Sequence, residues 1–213
     1  RIERDEQERM ETLLESIEKH LELPNPPRRI ECYDISNFQG SLAVGSMVSF
    51  EDGKPVRDRY RKYRIQTVVG ADDFRCMKEV LERRLERGIK DGDLPDLVLV
   101  DGGKGQLSSA MKALKKIGLS SLPVAALAKE RRRRQTTERI FLPGRKNPIA
   151  LAQDTPESLY LQRIRDEAHR FAIRYHRELR RRDAMKTGLE DIPGIGKKRQ
   201  QALLDRFRTL EKI

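Results

Sequence analysis

The stretch "DLVLVDGGKGQL", residues 96–107, passes from an aliphatic run into Asp101 and then into a glycine-rich turn. Four consecutive aliphatic residues bounded by acids fit a strand buried on both faces. "GQLSSAMKALKKIG" (105–118) then has helical periodicity, and "LPVAALA" (122–128) is again aliphatic and short. A strand, a helix and a second strand make a parallel unit. Upstream, "RIECYDIS" (29–36), "SLAVGSMVSFE" (41–51) and "PVRDRYRKYRI" (55–65) read as three strands, with Asp52-Gly53 turning the last two into a hairpin. The fold class is therefore α/β, a mixed five-stranded sheet flanked by helices.

Asp101 closes an otherwise apolar strand. A carboxylate there is costly unless it caps the following helix, meets a cation or binds a metal. In "RIECYDIS", Ile30, Cys32 and Asp34 share one strand face, so a second acid ends a second apolar face. Neighbouring strands ending in Asp34 and Asp101 would set two carboxylates side by side, where repulsion disfavours double ionisation without a divalent cation. "DGGKG" has a strand before it and a helix after it, but lacks the G-x-x-x-x-G-K-[ST] spacing, so no nucleotide is expected there. Its glycines would let a phosphate backbone approach, with Lys104 facing it.

The rest of the chain frames that core. Met10, Leu13, Leu14, Ile17 and Leu21 make residues 1–27 an amphipathic helical lead-in, stopped by "LPNPP" (23–27). "FRCMKEVLERRLERGI" (74–89) is a helix, and capping it is the plain reading of Asp72 and Asp73. "KERRRRQTTER" (129–139) reads as an exposed loop, and a short hairpin is expected within 138–151 around Pro143-Gly144. Residues 158–184 form one long helix whose apolar stripe is Leu161, Ile164, Ala168, Phe171, Ala172, Tyr175 and Leu179. Arg165, His169 and His176 fall beside that stripe. The two histidines are two turns apart, roughly 10.5 Å by helix rise, too far to share one ion comfortably. The tail "LEDIPGIGKKRQQALLDRFRTLEKI" (189–213) suggests a small helical hairpin with a glycine-rich turn.

Composition names the partner class. The 213 residues carry 45 Lys and Arg against 34 Asp and Glu, a net charge of +11, which suits a polyanion and would also fit an acidic membrane surface. No apolar run reaches the roughly 18 to 20 residues of a membrane span. Cys32 and Cys76 lack metal-ligand spacing and fit a reducing, cytoplasmic setting.

Four motifs, "IECYDIS", "LVDGGKGQL", "LQRIRDEAHRFAI" and "LEDIPGIGKKR", stand in an order that resembles the carboxyl-terminal endonuclease region of the UvrC family of bacterial nucleotide excision repair. The resemblance covers about residues 29–213. It implies an RNase H-like domain over 28–186, then a first helix-hairpin-helix motif over 187–213 where the family has two in tandem. It implies an endonuclease that cuts 5′ of a lesion in double-stranded DNA, with Asp34, Asp101 and His169 as catalytic and metal-binding residues and Mg²⁺ or Mn²⁺ as cofactor. His169 would be a metal ligand or a proton-transfer group, which leaves the number of ions open. The family's partners are UvrB, with UvrA acting upstream. Its amino-terminal GIY-YIG nuclease, Cys-rich and UvrB-binding segments are not matched here, so the chain is expected to be part of a longer protein. DNA contacts are expected from Lys104, Arg165, Arg170, Gly194, Gly196, Lys197, Lys198 and Arg199, mostly to phosphates, as suits cutting in any sequence. Another RNase H-like nuclease or a non-catalytic DNA-binding module is the alternative reading.

Overall fold

The computed structural model describes residues 2–36, 43–68, 72–132 and 135–190, together with residues 196, 199, 202, 203 and 206. Helix α1 (Ile2–Leu21) leads into β1 (Arg29–Ser36), β2 (Val44–Glu51), β3 (Lys54–Pro55) and β4 (Arg61–Arg64). Then come α2 (Asp73–Asp91), β5 (Leu97–Asp101), α3 (Lys104–Lys116), β6 (Val124–Arg132), β7 (Gln135–Phe141), β8 (Ile149–Ala150) and α4 (Pro156–Glu190). Two compact units divide within α4, one of residues Arg1–Ala172 and one of Ile173–Ile213.

The sheet is mixed, as the sequence implies, but has eight strands rather than five. Its order is β3-β2-β1-β5-β6-β7-β8, with β4 also paired to β2. The centre, β1, β5 and β6, is parallel, and antiparallel strands flank it. Asp52 and Gly53 both take positive φ, 44° and 80°, as the two-residue turn between β2 and β3 requires. The single strand expected over 55–65 is instead broken by a 3-10 turn at Arg57–Arg59. The basic segment expected as a loop continues β6 to Arg132 and pairs with β7 down to Arg132↔Gln135. A two-stranded ribbon satisfies its own backbone groups, so this extension needs no apolar side chains to be a strand. The hairpin expected over 138–151 appears as β7 and β8, around Gly144 at φ 74°.

Alternation along the strands builds two cores. Ile30 and Cys32 of β1, Leu97 and Leu99 of β5 and Ile140 of β7 pack with Leu14 and Ile17 of α1 and with Leu161, Ile164 and Ala168 of α4. On the opposite face Tyr33, Val98, Val100 and Ala126 meet Met77, Val80 and Leu81 of α2 and Leu107, Ala110 and Leu114 of α3. The lead-in helix thus belongs to the core of the first unit. A buried ionic network ties the second face together. Arg84 of α2 donates to Glu31 at 2.6 Å and Asp93 at 3.1 Å, and the Tyr33 hydroxyl donates to Glu31 at 2.5 Å.

Candidate metal centre

Parallel pairing sets the two acids. Tyr33 of β1 lies opposite Val100 of β5, so Asp34 and Asp101 follow as neighbours at the ends of adjacent strands. Asp34 shares the face of Ile30 and Cys32 and is only 6% exposed. Asp101 is half-buried at the end of β5, and the chain turns sharply after it through Gly102 at φ 142°. A Cβ there would lie 2.5 Å from Cγ of Gln106, so glycine is required for backbone and space alike. Gly105 also has a packing reason, since a Cβ would lie 2.4 Å from the Phe74 ring.

Helix α4 brings the third group. Ala168 is fully buried, and its carbonyl accepts a hydrogen bond from the Ser46 hydroxyl of β2 at 3.3 Å. Ser46 is itself the cross-strand partner of Asp34, so this bond fixes the helix beside the strand end. Nδ1 of His169 then stands 3.3 Å from Oδ2 of Asp34. One ligand atom from each of Asp34, Asp101 and His169 lies within 4.8 Å of the others. Burial, and next the negative charge of Asp34, push the Asp101 carboxyl up to about 6. Hard oxygen donors with an imidazole, and two carboxylates that repel when ionised, fit a divalent cation.

Other expected residues fall in different surroundings. Arg165, expected as a DNA contact, sits one turn before His169 and is buried: its guanidinium donates to Glu138 of β7 and, at 2.9 Å, to Asp166. Its positive charge opposes the rise of the Asp101 carboxyl. Arg170 is exposed and pairs with Glu167 at 2.7 Å. Lys104 is exposed on the first turn of α3, donating to the Lys146 carbonyl at 2.6 Å. Asp72 caps α2, accepting from the Arg75 amide at 3.0 Å, with Asp73 in the first turn. In the second unit the Arg199 amide donates to the Gly196 carbonyl at 2.9 Å, and both residues are exposed. Gly194, Lys197 and Lys198 lie outside the described residues. Glu138 and Ser46 are the residues that sequence reasoning missed.

A mixed sheet between two helix layers, with two acids and a histidine gathered at its strand ends, defines an RNase H-like nuclease architecture. The family model of the UvrC RNase H endonuclease domain matches residues 18–173, and the chain belongs to that family. It is 49% identical over 215 residues to UvrABC system protein C of Geobacter metallireducens, covering 97% of this chain and 35% of that protein. With the protein of the same name from Trichlorobacter lovleyi it shares 50% identity over 214 residues, covering 96% and 35%. The chain thus spans about a third of the length of the curated relatives it matches. Among solved structures, Ciona intestinalis endonuclease V in complex with inosine-containing DNA aligns with a TM-score of 0.46 and 13% identity, over 81% of this chain and 96% of that one. Among the described residues no helix is long and apolar enough to cross a membrane.

Proposed function

We propose that this chain is the divalent-metal-dependent endonuclease module that makes the 5′ incision beside a DNA lesion in nucleotide excision repair. The observation that carries the reading is the gathering of Asp34, Asp101 and His169 within 4.8 Å, on a chain of the UvrC endonuclease family. Asp34 and Asp101 would hold Mg²⁺ or Mn²⁺, with His169 as third ligand or proton-transfer group. A cation bound there supplies charge neutralisation at the scissile phosphate and a water of lowered pKa. Asp34, buried and rigid on β1, orients the imidazole through the contact to Nδ1. His169, with 57% of its side chain exposed, reaches both that carboxylate and solvent, as a group that passes a proton to a leaving oxygen must. Substrate would be damaged duplex DNA presented by UvrB, with UvrA acting upstream, in the cytoplasm.

The test is a duplex carrying one lesion, end-labelled on the damaged strand, incubated with the chain and UvrB. Expected is a cut on the 5′ side that appears with Mg²⁺ or Mn²⁺ and disappears with chelator, with no ATP needed by the endonuclease step itself. Cutting that persists in chelator, or that prefers an RNA–DNA hybrid to damaged DNA, overturns the reading.

A further inference from the structure

Helix α3 carries lysines at 104, 112, 115 and 116 and no acidic residue, whereas α1, α2 and α4 all mix both signs. Lys116 pairs with Glu82 at 2.8 Å, but among the described residues Lys112 and Lys115 meet no carboxylate. Lys104, Ser108, Lys112 and Lys115 follow one face of the helix, at spacings of four, four and three. That face forms one wall of an open groove of about 810 Å³, whose other wall includes Leu23, Pro143 and Arg145. Glu22 is the one carboxylate among its lining residues, and it is taken by Arg145 at 3.1 Å. Like charges in a row along a helix repel one another, so such a face is stabilised by a bound polyanion.

The groove starts three residues after Asp101 and follows α3 away from it. We propose that it is a substrate-binding track, in which the phosphodiester backbone of the DNA strand leaving the metal centre lies along α3. Phosphates meet Lys112 and Lys115, and the exposed Met111 side chain, 39% accessible, faces the sugars. From Lys104 to Lys115 the helix rises roughly 16 Å, about five steps of a B-form strand. The inference rests on the endonuclease reading, because it is the continuity of the cationic row with the site that selects DNA over an acidic protein segment.

The experiment measures binding of the full chain to a fluorescein-labelled duplex in chelator across a range of salt. Lys112→Gln/Lys115→Gln is expected to make the slope of log K against log salt shallower by about 1.8, from about 0.9 per phosphate contact, and to weaken low-salt binding roughly tenfold or more. Lys116→Gln, which removes a lysine outside the groove, is expected to keep the wild-type slope. As a second readout, Ser108→Cys bearing a photocrosslinker is expected to capture the DNA strand, with labelling selective because Cys32 and Cys76 are buried. An unchanged slope in the double variant, or no capture from position 108, overturns the track. Unchanged DNA binding in the double variant would assign the groove to a protein partner instead. Wild-type incision is run in parallel with Mn²⁺ and UvrB. If wild type cuts undiminished in chelator, the endonuclease reading falls; if its cutting needs the metal and the slope is unchanged, only the track falls.

Discussion

Nδ1 of His169 stands 3.3 Å from Oδ2 of Asp34, although 135 residues separate them in the chain. Three sequence features meet in that contact. β1 alternates inward to Asp34, α4 keeps Ala168 and Ile164 in the core, and the Ser46 hydroxyl holds the Ala168 carbonyl. The half-exposed imidazole is thereby set against a buried carboxylate without contributing much to the core itself.

Replacing His169 with Ala therefore separates chemistry from folding. Incision is expected to fall by about 10² to 10⁴, the range for loss of a proton-transfer group. Stability in urea is expected to change by no more than about 1 kcal/mol, since an exposed side chain loses little on truncation. His176→Ala, on the same helix, is expected to cut at the wild-type rate. A normally active His169→Ala with an inactive His176→Ala would reverse the assignment.

The Asp101 carboxyl makes stability depend on pH. Its folded value, about 6, lies above the ordinary 3.8, so the native state holds the proton more tightly than the unfolded chain. The stabilisation is complete below about pH 4, is lost as the pH rises through about 6, and is flat beyond. The loss is on the order of 2–3 kcal/mol. Asp101→Asn is expected to remove that slope and to raise the melting temperature of metal-free protein at pH 7. Mn²⁺ is expected to stabilise wild type at pH 7 and not the variant; equal shifts in both would exclude Asp101 as a ligand.

Much of this architecture is legible in the residues. The strand ends at Asp34 and Asp101, the Asp52-Gly53 turn and the Asp72 cap each follow from local pattern, because each depends on neighbours in sequence. The ribbon reaching Arg132 and Gln135 does not, since backbone pairing between two polar stretches leaves no apolar periodicity in the residues to read. Arg165 was legible in principle: Leu161, Arg165, Ala168 and Ala172 are spaced four, three and four, which puts the guanidinium inside the apolar stripe. Glu138 likewise alternates with inward-facing Ile140. Spacing places each of these polar residues on a core face, and the pair they form explains why each is tolerated there.

Gly102 makes a test of the turn after Asp101. Ala at φ 142° is strained, and its Cβ would press on Cγ of Gln106. Gly102→Ala is expected to cost about 1–3 kcal/mol in urea unfolding. Because the displaced backbone carries Asp101, incision is expected to drop further than stability alone explains. Gly103→Ala, where a Cβ meets open space, is the comparison and is expected to be milder. Equal effects at the two positions would remove the special role of Gly102.

Arg165 separates a buried ion pair from a DNA contact. Its side chain is 6% exposed and that of Glu138 is 2%, so Arg165→Met strands a carboxylate in the core with no counter-ion. Such a loss is expected to destabilise the chain by about 3–5 kcal/mol. Arg165→Met with Glu138→Leu removes both charges and fills the same space, and is expected to recover most of that stability. A residue that grips phosphate behaves oppositely: its loss leaves unfolding unchanged and makes the salt dependence of DNA binding shallower by about 0.9. Urea unfolding and a salt titration on the same two variants decide between these outcomes. An unaltered urea midpoint in Arg165→Met would mean that the pair with Glu138 does not hold α4 to β7, and that Ser46 and the apolar stripe alone carry His169 to Asp34.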